Sequence, residues 1–118
     1  MYDLPSELLL FSALPPAQYT EDAIGAAVDL VNVDGPAVAV AHVGGLVPGA
    51  TASIRIDDSP DGTTWASRAN FPTLAVGETV TLLRFERRHR YARAAITPSD
   101  PGSGANVGVM LGGFRKLI

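Results

Sequence analysis

From about Ala26 onward the chain is written in short apolar runs that alternate with a period of two, the pattern of strands that bury one face. The runs are AAVDLVN (26–32), PAVAVAHV (36–43), TASIRID (51–57), TTWAS (63–67), TVTLLRF (79–85), RYARAAIT (90–97) and ANVGVML (105–111). Turn residues separate nearly all of them: Asp34-Gly35-Pro36, Gly44-Gly45 with Pro48-Gly49, Asp61-Gly62, Gly77, and Pro98-Ser99-Asp100-Pro101-Gly102. Such residues reverse a chain because they supply positive φ, a fixed φ or a local side-chain hydrogen bond. Seven strands at this spacing predict an all-β sandwich or closed barrel, and the punctuation leaves no helix long enough for a wound α/β fold.

The alternation also predicts a core. In the run Ser53 to Asp57, Ile54 and Ile56 face one way and Ser53, Arg55 and Asp57 the other. Taking the larger apolar residue as the inward one, Val38, Val40, Ile54, Ile56, Val80, Leu82, Ala94, Ile96, Val107, Val109 and Leu111 form the core. Ala37, Ala39 and Ala41 then make a flat outer face, suited either to solvent or to contact with another protein.

Residues 1–22 have a different texture. Pro5, Pro15 and Pro16 interrupt any regular element, and Leu8, Leu9, Leu10, Phe11 and Leu14 are apolar without clean alternation. They are read as an extended N-terminal arm on a sandwich of seven to eight antiparallel strands at 23–118. The five apolar residues are candidate anchors on a partner; the alternative is that the segment adds an edge strand to its own sheet. The apolar run Leu8 to Phe11 is too short to span a membrane, and the N-terminus lacks the basic stretch of a secretion signal.

With 118 residues the chain holds one core, and with no cysteine it has no disulfide or thiolate site. Its charge is divided along the sequence. Residues 1–54 carry Asp3, Glu7, Glu21, Asp22, Asp29 and Asp34 and no lysine or arginine. Residues 84–93 carry five arginines against Glu86, a net +4 with His89 neutral. Complementary patches steer and register protein partners, so Arg87, Arg88 and Arg90 are candidate contact residues. A net charge of −3 argues against a dedicated nucleic-acid binder.

Chemistry is sparse. Asp57, Asp58 and Asp61 lie within five residues and offer oxygen ligands, a weak calcium candidate that lacks the EF-hand spacing; an Asx turn explains the same residues. His42 and His89 have no nucleophile elbow to serve, and the glycines of GGLVPGAT (44–51) have no following lysine, so they read as a hairpin loop. Trp65 is expected to fill the core or cap one end of the sandwich, since a sugar-binding face needs several exposed aromatics. The reading is of a protein with no enzymatic activity and no cofactor.

The segments VDLVNVDGPAVAVAHVG, IRIDDSPDGTTWAS, RYARAAITPS and NVGVMLGGFRK, spread over residues 24–117, resemble small β-sandwich structural proteins of tailed bacteriophages, of the capsid decoration or cement type. That resemblance implies a virion protein made in the host cytoplasm and placed on the capsid surface. Its implied partner is the major capsid protein, whose subunits it bridges, commonly as a homotrimer or other homo-oligomer. It implies no shared active-site residues. A head-completion, connector or tail component is the alternative within phages, and a carbohydrate-binding sandwich the alternative outside them.

Overall fold

The structure, a computed structural model, describes residues 6–19, 21–46, 51–72, 79–98 and 105–116. Residues 1–5 of the expected arm and the turns at Pro48-Gly49, Gly77 and Pro101-Gly102 lie outside them. The strands are β1 (Ser6–Tyr19), β2 (Ala23–Ile24), β3 (Val28–Asp29), β4 (Asp34–Leu46), β5 (Ala52–Ser59), β6 (Ala66–Asn70), β7 (Thr79–Phe85), β8 (Tyr91–Pro98) and β9 (Ala105–Lys116). One sheet has the order β1-β9-β4-β7 and the other β2-β8-β5-β6, with β3 also paired to β8. Every pairing is antiparallel. The fold is a β-sandwich.

The core lies between the sheets. The five-stranded sheet contributes the bulky Ile54, Ile56 and Ile96, each no more than 1% exposed. Facing them, β9 supplies Val107, Val109 and Leu111, while β4 supplies Ala37, Ala39, Ala41 and Val43. Burial of each large aliphatic side chain stabilises the fold by about 1.5 to 3 kcal/mol. Two glycines hold the positive φ that their turns require, Gly35 at 76° and Gly62 at 83°.

Four expectations are corrected. The first concerns the arm, because residues 6–19 form β1, which pairs with β9 from Ser6↔Lys116 to Tyr19↔Ala105 and buries Ala13 and Leu14 in the core. The prolines are tolerated because β1 is an edge strand and its ladder shifts register around them. Second, the faces of β4 are exchanged: the alanines are fully buried between the sheets, and Val38 and Val40 lie on the outer side, where Val38 is nonetheless buried, at 8% exposure. Large side chains from one layer fill the gap best against small ones from the other, so the isoleucines opposite favour alanine. Third, β7 follows β4 through the pairs Val40↔Leu82 and His42↔Val80, which puts Val80 and Leu82 outside and turns Leu83 and Phe85 inward. Fourth, of the two places expected for Trp65 the core is excluded: it sits in the connection between β5 and β6, half-buried under the Arg93 guanidinium, 4.2 Å from the ring centroid.

Candidate functional site

Because β4, β7 and β9 are apolar at both parities, filling the core with one set leaves the other facing out. The ladders arrange that second set in rows across the four-stranded sheet. Leu8 stands opposite Phe114; Leu10, Gly112, Val38 and Arg84 form the next row; Ser12, Met110, Val40 and Leu82 the third; Gly108, His42 and Val80 the last. Five of these side chains are large, apolar and exposed: Leu8 (51%), Val80 (67%), Leu82 (59%), Met110 (41%) and Phe114 (49%). A groove of about 270 Å³ runs over the middle of the face, lined by Leu8, Leu10, Val38, Val40, Leu82 and Phe114 and ending at Arg84. A strand with two apolar faces is expected where both are covered.

Arginines mark one corner of this face. Arg84 borders both the groove and a neighbouring cavity shared with Gly35, Pro36, Phe85, Glu86 and Arg87. The Nε of Arg87 is buried there without a hydrogen-bond partner among the described residues. No ion pair of Arg84, Arg87 or Arg88 occurs among the described residues.

The outer face of the five-stranded sheet is built differently. Asp57, 3% exposed, accepts from Arg55 Nε at 3.0 Å and from Arg93 Nε at 3.4 Å. Arg93 also covers Trp65, so one strand position organises two cations and an aromatic ring. Asp57 thus spends its charge within this face, while the Arg68 Nε on β6 is buried without a hydrogen-bond partner among the described residues.

The expected contact residues separate accordingly. Leu8, Leu10 and Phe11 are at least partly exposed on β1, with Leu8 and Leu10 in the groove. Leu9 is half-buried, and Leu14 is 2% exposed in the core. Arg87 lines the corner cavity, and Arg88 is exposed in the segment that follows β7. Arg90 is engaged within the chain, its Nε and Nη2 donating to the two Asp29 oxygens at 3.0 and 2.8 Å. That fork holds the Asp29 carboxyl below the usual carboxylate range, with help from the Val31 N–H, and raises the Arg90 pKa.

The three aspartates of the turn do not converge. Asp57 and Asp58 are adjacent in β5 and point to opposite faces, Asp57 to its arginines and Asp58 inward opposite Ala92. Asp61 Oδ1 accepts from the Thr63 and Thr64 amides and from Ser59 Oγ, all at 2.9 Å, and these bonds push its pKa well below the ordinary range. Among the described residues no three acidic, histidine or cysteine groups are placed to hold a metal ion. His42 sits on the apolar outer face and His89 in the turn between β7 and β8.

A sequence signal for the apolar face exists in the parity of two polar residues. His42 shares its parity with Val38 and Val40, and Arg84 with Val80 and Leu82. A histidine or arginine at the end of an alternating set places that set on the outer face of the sheet. Residue size pointed the other way.

Neither a protein family nor a curated protein matches the sequence. Among solved structures, a chain in the structure of infectious bursal disease virus, Gx strain, superposes with a TM-score of 0.58 at 14% identity. It covers 90% of this chain, which spans 31% of the length of that one. The likeness is one of fold. The sandwich, with its apolar outer sheet, is thus a β fold also found in a viral structure.

Proposed function

We propose that the protein is a non-enzymatic structural component of a virus particle, of the phage cement type, and that it docks on the shell through the outer face of the four-stranded sheet. The observation that carries this reading is the exposed row set around Leu8, Leu82, Met110 and Phe114 on a sandwich of a fold also found in a viral structure. The largest contiguous apolar patch on a soluble protein is often its functional surface. Arg84 and Arg87 at the corner, without a salt bridge among the described residues, favour a shell surface that offers carboxylates, which accept bidentate bonds from the guanidinium.

The mechanism is one of linkage. A protein that spans neighbouring shell subunits in one state of the shell, and not in another, shifts the equilibrium toward the state it binds. Catalysis has no part in it, and the dispersed His42 and His89 are in keeping with that.

Particles assembled without the protein are expected to form but to release their genome at lower temperature or under osmotic shock. Adding back the purified chain restores robustness, and the Leu8→Asp, Phe114→Asp double variant does not. Equal robustness with and without the protein would refute the reading. Imaging of intact particles separates cement, in many copies over the shell, from a connector or tail part, in one ring at a vertex.

A further inference from the structure

The four-stranded sheet ends in two edges of opposite character. At one edge, β1 carries Pro15 and Pro16, and its ladder with β9 slips between Ser12 and Leu14 and again between Leu14 and Ala17. Proline offers no N–H and a bulge twists the edge away, two devices that stop a sheet from recruiting another strand. At the other edge β7 has neither device. Thr79–Phe85 contains no proline and pairs with Val43–Ala37 in unbroken register. Half of its backbone N–H and C=O groups point away from β4, as on any terminal strand.

The side chains agree with the backbone. Edge strands that must stay single carry charge. Here the outward positions are Val80 at 67% and Leu82 at 59% exposure, the two most exposed large apolar residues described, with Arg84 the one charge of the strand. Apolar exposure is thus greatest where an added strand would cover it.

We infer that β7 is a self-association edge: two copies pair β7 with β7, antiparallel about a two-fold axis, and join their four-stranded sheets into one of eight. A second copy is favoured at the edge because antiparallel pairing of β7 with itself adds roughly seven backbone hydrogen bonds and needs no second complementary surface.

Charge is compatible with the two-fold. With Leu82 at the axis, Leu82 meets its own copy and Arg84 lies opposite Val80, whose side chain the aliphatic arginine stem can cover. The two Arg84 positions are then four residues apart, roughly 14 Å, beyond the screening length of about 8 to 10 Å. The pairing concerns the isolated chain and holds whether or not the protein belongs to a shell.

Light scattering coupled to gel filtration of the full chain tests this directly. The expected result is a concentration-dependent mass that approaches twice 12.3 kDa at about 100 μM, with amide exchange in Thr79–Phe85 slowing as concentration rises. Leu82→Lys and Val80→Lys should each weaken the dimer at least tenfold while circular dichroism and unfolding cooperativity stay unchanged. Ser12→Lys, on the blunted edge, should leave it intact. A monomer at about 1 mM, a trimer, or a dimer indifferent to Leu82→Lys overturns the inference. If the lysine variants fail to fold, the exchange of the β7 amides in the unaltered chain decides: no slowing with concentration overturns it.

Discussion

The two outer faces of this sandwich solve the same problem in opposite ways. Each sheet must do something with the residues that its pleat turns away from the core. The five-stranded sheet ties most of them into a polar network, in which Asp57 satisfies Arg55 and Arg93 and Arg93 lies over Trp65, with Ile24 at its β2 edge left exposed. The four-stranded sheet leaves Leu8, Val80, Leu82, Met110 and Phe114 in water. A face that pairs its own charges is finished as a surface; one that exposes a contiguous apolar area retains free energy that only a partner can release. The comparison teaches where to look for binding, since the residues richest in recognisable chemistry lie on the finished face.

The strongest way to break the comparison is to test which side of β4 is inside. Ala39→Leu adds three heavy atoms at a position with no exposed surface and should destabilise the fold by about 3 kcal/mol in denaturant unfolding. Val40→Leu, one residue along and on the outer side, should stay within about 0.5 kcal/mol. A larger cost for Val40→Leu than for Ala39→Leu would mean that the faces have been assigned the wrong way round.

The charged face comes next in size. Asp57→Ala leaves Arg93 partly buried without its acceptor, and loss of two charge-assisted hydrogen bonds should cost about 2 kcal/mol, less than for a fully buried pair because Arg55 is 45% exposed. Arg55→Ala alone should cost about 0.5 kcal/mol, since Arg93 still holds the carboxylate. If Asp57→Ala is silent, the network is not what finishes that face.

The positions of the strands were legible because turn chemistry and period-two alternation are local. Asp61-Gly62 and Asp34-Gly35 fall at the two positive-φ turns described, and the runs at 79–85 and 105–111 match β7 and the start of β9. Alternation says which residues share a face and is silent about which face is inward when both are apolar. In PAVAVAHV that choice depended on the isoleucines of a sheet far away in sequence. The role of β1 was hidden for a related reason, because prolines that break a central strand are permitted at an edge, and edge status is a property of the finished sheet. Of the candidate contact residues, Leu8, Leu10 and Arg87 border the apolar face or its corner, while Leu14 and Arg90 were taken up by the core and by Asp29.

On the apolar face, stability and binding should come apart. Met110→Ser and Phe114→Ser change side chains that are 41% and 49% exposed, so unfolding midpoints should move by no more than about 0.5 kcal/mol each. Retention on shells, or binding of a hydrophobic dye to the isolated protein, should fall well beyond that. A large stability loss without a binding change would make the face part of the core in all but position.

The smallest effects belong to two exposed carboxylates on the charged side of the comparison, and their pH and salt dependence tells a turn from an ion pair. Asp61 is held below its ordinary pKa first by the Thr64 and Thr63 amides and then by Ser59; Asp29 is held below first by its hydrogen bond to Arg90. A group with a depressed folded-state pKa contributes stability that is present above the unfolded value of about 3.9 and is lost as pH falls through the folded value. The stability gap between the parent and Asp61→Ala should therefore be constant near neutrality and close progressively below about pH 4. Asp29→Ala should behave in the same way with acid. Salt separates the two: the Asp29–Arg90 pair is exposed and screened, so its gap shrinks in about 0.5 M salt, whereas bonds from backbone amides to Asp61 persist. A gap for Asp61→Ala that closes in salt at neutral pH would mean that charge, and not the geometry of the turn, is what that aspartate supplies.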